Sequence, residues 1–553
     1  MASIYNKAVV KVQKKSGFDK SFQNLFTSKV GTITPILTDE LIPNTTVNLR
    51  MAISTQLPPL ASDTFMRVKQ KYAAFFVPTR IIMPGFESWL CGSTNKSPVN
   101  PNAAKVRVPT IVTTTASTIP GSLSDYLGHK QESTTGTNIT VEFNALPFLA
   151  YHKIYDDWFR NSLVQKPIYA EEVIAGNVDY RASNSNHVVP CSHSGDAHNY
   201  RIDAAPKSGG PATVDSAHSP LYADGVSILS LRQANFGSDL YTSCTPQPQN
   251  GQAQSVSFTT AAEGQDSSFT ISALRAANSM QQFIERNNLG GNRLVDYVKA
   301  QYGANLNDAI AQRSVLLGSG SFDVYSKGVY QTAETDTSAA TDIVYQNPFR
   351  ATPGAKYGSA YVDGQDLVIK GFTAMEPGYL MVVTWLSPKV TYSTGTDPIL
   401  TRYIKSANTQ SDMANPILQN VGNEPIYARQ LNIAQINSEA VFGYNDRYAN
   451  WKDKTDEVHG LLRDQSSLQS FALQRSFNGT VSISDSFLKI PTNYMDQVAS
   501  VDTQISEYGY WCDTYFDYKV SMPLATYSVP SLQDPAYEHG QDVVVDRGGK
   551  QLN

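Results

Sequence analysis

The first strong pattern along the chain is an alternation of apolar and polar side chains. Between residues 47 and 54 every second side chain is a large apolar one, which is the period of a β-strand that buries one face. These apolar positions are Val47, Leu49, Met51 and Ile53. After Pro58-Pro59 a second strand is predicted from Arg67 to Val77. We expect the two strands to be antiparallel neighbours.

The central part of the chain changes to the three- and four-residue spacing of helices. Pro147 suits a first helical turn, and the apolar positions of this helix are Phe148, Tyr151, Ile154, Tyr155 and Trp158. A second helix is predicted from an N-cap at Ser272 to the Gly290-Gly291 pair. A third follows from Leu294, with Gly303 as its C-terminal cap.

Strand patterns return in the last third of the chain. They cover residues 366–370, 378–386, 479–485 and 515–522, and the last of these alternates strictly. Strands at both ends of the chain, with helices and long loops between them, favour a single antiparallel β-sandwich with large insertions over a string of domains.

Residues 175–222 have the composition of one long loop. They are rich in Ser, Asn, Ala, Gly, Pro and Asp, they lack a sustained apolar period, and they contain four of the eight histidines. A loop of this length is usually either functional or disordered, and the sequence leaves both explanations open. Residues 332–341 are a shorter stretch of the same kind.

The overall composition is weakly charged and rich in tyrosine. Charged residues make up 17% of the chain, against about a quarter in ordinary soluble proteins, and there are 30 Tyr and 22 Phe. Interface cores lose charge and gain aromatic residues, so the composition suits a subunit of an assembly. A large β-protein explains the same tyrosine content, because strands also favour tyrosine.

Positive charge is concentrated at the N-terminus, although the whole chain has a net charge of -5. Residues 1–30 contain a single acid, Asp19, and six lysines: Lys7, Lys11, Lys14, Lys15, Lys20 and Lys29. A basic arm of this kind can neutralise phosphates without reading sequence. A solvated terminus without a ligand has the same composition, so both interpretations stand.

The cysteines and the apolar runs indicate a protein that is made and kept in a reducing compartment. The four cysteines lie far apart and form no Cys-x-x-Cys pair, so we expect no disulfide framework and synthesis in a reducing cytoplasm. No segment has the apolar run of a signal peptide or the roughly 20 apolar residues of a membrane span. We therefore expect no export and no membrane insertion.

Two loop motifs resemble ligand sites only superficially. A group of metal-binding side chain types lies within the 175–222 segment, at Cys191, His193, Asp196 and His198. It lacks a second ligand pair at the spacing of zinc sites, so solvated loop residues are the expected state. The run Gly548-Gly549-Lys550 lacks the upstream glycine and the following Ser or Thr of a phosphate loop, which leaves a basic tail.

Two further motifs fail as catalytic or cofactor sites. The run Gly318-Ser319-Gly320 lacks the third glycine of the dinucleotide fingerprint. Asp156 and Asp157 are neighbours on a predicted helix, so they point about 100° apart and cannot face each other across one bond. We expect both carboxylates to be solvated at the surface. The sequence predicts no catalytic, cofactor-binding or metal-binding residues and favours a protein that is not an enzyme.

Three short motifs follow one another along the chain. The first is Trp158-Phe159-Arg160, at the end of the predicted helix. The second is a segment from Tyr241 to Gly251 that contains Pro246 and Pro248. The third is a run from Phe442 to Trp451 whose distinctive positions are Phe442, Tyr444, Arg447 and Tyr448. Their order and wording resemble the major capsid protein of the Microviridae, small tailless single-stranded DNA phages, and most closely its gokushovirus-like branch.

This resemblance covers about residues 30–450 and includes Glu285-Arg286, Gly290-Gly291 and Phe75 to Pro78. The family usually has Trp between the two prolines of the second motif, where this chain has Gln247. The resemblance implies an eight-stranded antiparallel jelly roll with long, partly helical insertions. Residues 1–30 would then be a basic arm and residues 31–553 a single capsid domain, with insertions at roughly 144–350 that include a candidate surface loop at 175–222.

The resemblance also implies partners. Sixty copies would form a T=1 icosahedral shell, with fivefold, threefold and twofold contacts, around a circular single-stranded DNA genome. A small basic DNA-packaging protein, a scaffolding protein, a DNA pilot protein and a host cell-surface receptor would be further partners. The aromatic residues of the three motifs are candidate interface anchors, although packing within the subunit explains each of them more simply.

Three functional hypotheses follow for this chain. In the first, it is a capsid protein, and the lysines from Lys7 to Lys29 face the interior of a virion and bind DNA phosphates without sequence preference. The main alternative is a β-sandwich module that binds glycans or a cell surface through its loops. Such modules are commonly exported, so the lack of a recognisable signal peptide counts against the alternative. The third is a jelly-roll enzyme, which would need an acidic or metal-lined pocket.

Overall fold

We describe the protein from a computed structural model of the 553-residue chain. The structure describes residues 7–12, 15–62, 64–83, 86, 90, 108, 110–114, 120–129, 140–168, 201–203, 226–248, 275–280, 282–283, 298–299, 302–303, 307, 312–324, 326–331, 356–363, 367–401, 423–435, 440–500, 503–524 and 541–546.

The described residues are mainly β, and their sheets are built from antiparallel pairs with one exception. The strands of the N-terminal half are β1 (Lys7–Val12), β2 (Ser16–Asp19), β3 (Phe22–Ser28), β4 (Thr34–Leu41), β5 (Thr45–Gln56), β6 (Val68–Pro78), β7 (Thr110–Thr114), β8 (Thr140–Asn144) and β9 (Arg201–Asp203). Those of the C-terminal half are β10 (Val315–Val324), β11 (Ser326–Gln331), β12 (Lys356–Asp363), β13 (Leu367–Ala374), β14 (Gly378–Pro388), β15 (Asn423–Tyr427), β16 (Val441–Asp446), β17 (Tyr510–Met522) and β18 (Gln541–Asp546). The exception is the parallel pair of β7 and β9.

Two sheets form the centre of the protein. The larger has seven strands in the order β11-β12-β5-β17-β2, with β13 also paired to β5 and β3 also paired to β17. The smaller has four strands in the order β10-β6-β14-β4. Three peripheral sheets are formed by β1 with β18, by β15 with β16, and by β8, β7 and β9.

The burial of the two central sheets follows their sequence patterns. In β5 and β17 every second side chain is buried, as expected for strands with one wet face. In β14 nearly every residue is buried, because the helix at residues 146–154 and its following turn cover the outer face of the smaller sheet. The rings of Phe159 and Trp385 meet there at 4.9 Å between centroids.

The helices are short. Among the described residues, the longest runs from Leu146 to Ile154 and continues as a π-helical turn from Tyr155 to Phe159. Shorter α-helices in the described part of the chain occupy Thr79–Ile82, Leu123–Tyr126, Pro398–Thr401, Ala449–Lys452, Asp485–Leu488 and Gln504–Tyr508. Single 3₁₀ turns occupy Ala428–Gln430, Ile433–Gln435, Gly460–Leu462, Gln469–Phe471 and Asp496–Val498. No helix among the described residues is long and apolar enough to cross a bilayer.

The predicted strand at residues 479–485 is wrong. Val481 and Ile483 are buried in alternation, which produced the strand pattern, but the segment joins no described sheet. Ile483 instead donates one isolated hydrogen bond to the Phe442 carbonyl at 3.1 Å. Ser484 then caps the helix at Asp485–Leu488, because its hydroxyl accepts from the Phe487 N–H at 3.3 Å.

The expected pairing of the first two predicted strands is also wrong. Both strands exist, as β5 and β6, but they belong to different sheets. The residues between them cross from one sheet to the other: Leu60 forms a bridge with Ala499, and Phe65 donates to the Phe471 carbonyl at 2.8 Å. Because the segment between β5 and β6 forms hydrogen bonds with other parts of the chain, it is not a hairpin turn. Pro58-Pro59 lies at the start of this segment.

The helix predictions are confirmed where the structure describes the residues concerned. The helix after Pro147 is present, and residues 275–280 and 282–283 are helical. Gly303 has a φ of +67° and donates to the Lys299 carbonyl at 3.0 Å, so it caps the third helix as predicted. The ends of the second helix lie outside the described residues, as do the loop at 332–341 and all of 175–222 except β9.

Residues 16–28 of the N-terminal segment are paired within the larger sheet. Both β2 and β3 add to the same edge of β17. Gly509, which leads into β17, has a φ of +73°, and a Cβ there would overlap the Ser28 carbonyl. This close approach explains a glycine at the point where the two strands meet.

Candidate functional site

The two described cysteines and His152 are buried. Burial raises the pKa of both Cys244 and Cys512 to about 12, so neither thiol is an effective nucleophile near neutral pH. Burial and the nearby Arg232 hold the pKa of His152 well below its usual value, and its Nδ1 accepts from Arg232 Nε at 3.0 Å. The described residues contain no group of three or more His, Cys, Asp or Glu that could hold a metal.

The carboxylates of Asp156 and Asp157 have structural roles rather than the solvated ones expected. Asp156 accepts from Arg160 Nε at 2.5 Å. Asp157 is buried, accepts from Lys153 Nζ at 3.0 Å, and binds both the N–H and the hydroxyl of Ser314 at 2.9 Å. The hydrogen bonds of both carboxylates therefore stabilise the π-helical turn.

Small residues in β10 likewise serve packing. A Cβ on Gly320 would lie 2.6 Å from the Cζ atom of Tyr72, so a side chain there would displace that ring. The run Gly318-Ser319-Gly320 is therefore a strand segment against an aromatic ring, and not a cofactor loop. The Cys191 to His198 group and the Gly548 to Lys550 run lie outside the described residues.

The first sequence motif closes the π-helical turn against the smaller sheet. Trp158 donates from Nε1 to the carbonyl and hydroxyl oxygens of Ser314 at 3.1 and 3.0 Å, and the Arg313 guanidinium lies 3.6 Å from its ring. Phe159 packs on Trp385, and Arg160 reaches back to Asp156. These three residues are half-buried within one subunit.

The second and third motifs are joined side by side. Thr245 and Tyr444 exchange two backbone hydrogen bonds of 2.8 Å, and Asn445 donates to the Leu240 carbonyl at 2.8 Å. Phe442 is buried against Tyr241 and Phe487, at centroid distances of 6.2 and 4.8 Å. The two motifs, 200 residues apart in sequence, therefore form one unit, which we call the motif junction (residues 241–248 and 442–448).

Polar bridges connect the motif junction with the first motif. Asn235 donates to the Phe159 carbonyl at 3.0 Å, and Gln165 donates to Asn235 at 3.0 Å and to Asp485 at 2.7 Å. Asp485 begins the helix that carries Phe487 into the motif junction. All three motifs are thus parts of one internal scaffold.

Arg475 lies at the centre of this scaffold. Its guanidinium faces the rings of Phe236, Phe477 and Phe487 at 4.7, 5.0 and 4.0 Å, and burial lowers its pKa. Sequence reasoning missed Arg475, because two of its ring partners, Phe236 and Phe487, come from other segments of the chain and no local motif marks it.

Within the motifs, surface exposure is restricted to a few positions. Pro246, Gln247 and Pro248 are exposed, whereas Phe442 and Tyr448 are buried and Tyr444 and Arg447 are half-buried. The Arg447 guanidinium lies 5.7 Å from the Tyr448 ring. The expected interface role therefore suits the exposed Pro246, Pro248 and Trp451, while Phe442 and Tyr448 pack within the subunit.

Four strongly exposed apolar side chains lie on neighbouring segments near the motif junction. We call them the Ile399 patch: Ile399, Leu400, Ile433 and Trp451, each between 53% and 69% exposed. Its segments are neighbours, because Thr396 donates to the Arg429 carbonyl at 3.0 Å and Lys454 pairs with Asp397 at 3.4 Å. Exposed apolar patches of this kind mark interaction surfaces.

The N-terminal lysines have three different environments. Lys20 pairs with Asp39 at 2.5 Å, and Asp39 also accepts from the Tyr518 hydroxyl at 2.6 Å. Because Asp39 is in β4 and Tyr518 in β17, this cluster connects the two central sheets. Lys15 and Lys29 are exposed, and Lys15 donates to Thr46 at 3.1 Å. Lys7 and Lys11 are in β1, and Lys14 lies outside the described residues.

A cleft of about 990 Å³ lies between β3, β4 and residues 125–128. Its lining includes Leu25, Trp511 and the carboxylates Asp125 and Asp513, but no lysine or arginine among the lining residues. Without a cation the cleft repels phosphate, so it does not add to the lysines as a DNA site.

Comparison with known proteins gives concordant matches. The family model described as "Capsid protein (F protein)" matches residues 8–532. The chain is 25% identical to "Capsid protein VP1" of Bdellovibrio phage phiMH2K, with 94% of this chain and 95% of the relative covered. It is 24% identical to "Capsid protein VP1" of Chlamydia phage 1, over 94% and 96%, and of Spiroplasma virus 4, over 91% and 93%.

Proposed function

The chain belongs to the Capsid protein (F protein) family of the Microviridae, and from this premise we propose that sixty copies of it form a T=1 icosahedral shell around a circular single-stranded DNA genome. The match over nearly the whole chain carries the capsid function. This match favours a structural capsid protein over the alternative hypothesis, a module that binds glycans or a cell surface.

We further propose that the two central sheets form the capsid jelly roll. Its eight strands in chain order are β3, β4, β5, β6, β10, β13, β14 and β17. The first pairs with the eighth, the second with the seventh, the third with the sixth and the fourth with the fifth. The eighth also pairs with the third, and the seventh with the fourth. These pairings support two interleaved Greek keys, the arrangement of a jelly roll.

Long insertions between these strands provide surface for subunit contacts. Residues 79–314 separate β6 from β10, and residues 389–509 separate β14 from β17. The second interval carries the Ile399 patch. Within a shell, repeated contacts of this kind add up by multivalency, so each one can be weak while the particle is stable.

Disruption of the Ile399 patch is expected to block assembly without unfolding the subunit. In the I399D/L400D variant, two charges would have to be desolvated in the contact, so particle yield should fall about tenfold or more. Size-exclusion chromatography with negative-stain microscopy would measure this. The control I399V/L400I keeps the patch apolar and should assemble normally. Full assembly of the aspartate variant would contradict a role of this patch in the shell.

Lys20 pairs with Asp39, and Lys7 and Lys11 lie opposite aspartates in the register of β1 and β18. We propose that, together with Lys14, the two exposed lysines Lys15 and Lys29 contribute to DNA binding. Replacement of both by Gln should reduce packaged DNA, and should reduce the slope of log affinity against log salt by about 0.7 per lost phosphate contact. Filter binding of single-stranded DNA over a salt series would measure the slope. K20Q serves as control: it should leave the slope unchanged and lower subunit stability, because Lys20 pairs with Asp39. Equal slopes in all proteins would contradict the proposal.

From the family assignment we also propose four further partners. They are a small basic DNA-packaging protein, a scaffolding protein, a DNA pilot protein and a host cell-surface receptor. As a capsid protein, the chain is a component of the virion. We propose that it is synthesised in the bacterial cytoplasm, in keeping with two buried free thiols, Cys244 and Cys512.

A further inference from the structure

The two ends of the chain meet in a ribbon of two antiparallel strands. Strand β1 pairs with β18 so that Lys7 is opposite Asp546 and Lys11 is opposite Asp542. Among the described strands, each of these two pairs only with the other. The ribbon is therefore a separate element that joins residues near the N-terminus to residues near the C-terminus.

The register divides the ribbon into two unlike faces. Residues directly opposite in an antiparallel pair share a face, and successive residues alternate between faces. One face has Ala8, Val10, Val12, Gln541, Val543 and Val545. The other has Lys7, Val9, Lys11, Asp542, Val544 and Asp546. One face thus has five apolar positions and Gln541, and the other has two positions at which a lysine is opposite an aspartate in the register.

A ribbon of this kind is incomplete by itself. An isolated pair of strands is at best marginally stable in water, and three or more strands with a common apolar face are needed for independent stability. Each outer edge also presents backbone N–H and C=O groups that have no partner across the ribbon. An added strand on either edge would pair these groups and extend the apolar face.

The charges of the two strands select which strand can be added. Strand β1 carries two lysines and no acid, whereas β18 carries two aspartates and no base. Contact of β1 with β1, or of β18 with β18, would bring like charges together, which costs stability. Contact of β1 with β18 of another molecule repeats the register of the ribbon, in which lysine positions are opposite aspartate positions.

We infer that a second copy of this chain docks on the ribbon by strand addition, with the β1 edge of one copy against the β18 edge of the next. Such a contact is head-to-tail, so it closes into a ring when the rotation between copies allows it. The inference rests on the proposed self-assembly and assigns one of its contacts to the chain ends.

Charge-swap complementation in full-length chains tests this inference. K7E/K11E makes both strands acidic, and D542K/D546K makes both basic. Each variant alone is expected to lose about tenfold or more in particle yield, because like charges meet within the ribbon and between copies. In a mixture of the two variants, each ribbon still has like charges on its own two strands. The contact between a K7E/K11E copy and a D542K/D546K copy, however, brings opposite charges together. We expect the mixture to recover most of the yield, and the particles to contain both variants by mass spectrometry.

Three controls make the outcome decisive. The quadruple variant K7E/K11E/D542K/D546K should assemble as the natural chain does, since it restores both kinds of pairing. Circular dichroism of each double variant should show a folded subunit. If the quadruple variant assembles but the mixture does not, the ribbon is an internal clasp and the inference is wrong. Normal assembly of either double variant with only its DNA content changed would assign the strands to DNA and would also overturn it. Absence of particles from the natural chain would instead contradict the proposed function itself.

Discussion

Replacement of Phe442 by alanine is expected to lower the free energy of unfolding of the subunit by about 3–5 kcal/mol. Phe442 is only 2% exposed, and its ring lies between Tyr241 and Phe487 at centroid distances of 6.2 and 4.8 Å. Truncation removes the contacts of a large ring and leaves a cavity at the motif junction. Because this junction connects segments far apart in sequence, the loss should appear as global destabilisation.

Denaturant unfolding of the isolated subunit measures the effect of Phe442→Ala. The matched control is Val441→Ala, since Val441 is the neighbouring residue in β16 but is 39% exposed. This control should change the free energy of unfolding by no more than about 0.5 kcal/mol. If Phe442→Ala instead weakened assembly while leaving subunit stability unchanged, the third motif would be an interface and not an internal scaffold.

Alkaline pH is expected to unfold the subunit, starting near pH 10. Burial raises the pKa of Tyr126 and Tyr379 to about 12. It raises the pKa still further for six other tyrosines: Tyr151, Tyr241, Tyr392, Tyr494, Tyr510 and Tyr518. The unfolded chain releases these protons from about pH 10, whereas the folded chain retains them. The stability that these tyrosines contribute is therefore fully present below about pH 10. It is lost as the pH rises through their pKa values in the folded state.

The size of this alkaline effect follows from the number of groups. Each buried tyrosine lowers the free energy of unfolding by about 1.4 kcal/mol per pH unit between its unfolded and folded pKa values. Tyrosinate absorbance and far-ultraviolet circular dichroism, followed over a pH series, should change together in one steep transition. The variant Tyr379→Phe removes one such group and should make the transition less steep. A gradual rise in tyrosinate absorbance with intact secondary structure would contradict the burial of these hydroxyls.

Sequence patterns predicted the strands whose burial is simple. The alternation at 47–54 and 515–522 reports one buried face, and the continuous apolar run at 378–386 reports a strand that is covered on both faces. Strand β10 was missed because Gly318, Ser319 and Gly320 resemble a loop in sequence. In the structure they make room for Tyr72, which belongs to the neighbouring strand.

The candidate site could be predicted only in part from the sequence, for a similar reason. The three motifs identified the segments that meet, but their partners Asn235, Arg475 and Asp485 are brought in by tertiary pairing alone. The lysine pattern had the same limit. Charge counting grouped Lys20 with the other lysines, whereas Asp39 and Tyr518, its neighbours in space, give it a structural role.

We propose that this polypeptide is the repeating unit of a closed shell. Cryo-electron microscopy and native mass measurement of particles assembled from the purified chain would test this proposal. We expect particles with icosahedral symmetry, a protein mass of sixty subunits of 60.6 kDa, and the two central sheets in every subunit. A chain that stays monomeric under all conditions, or particles without icosahedral symmetry, would contradict it.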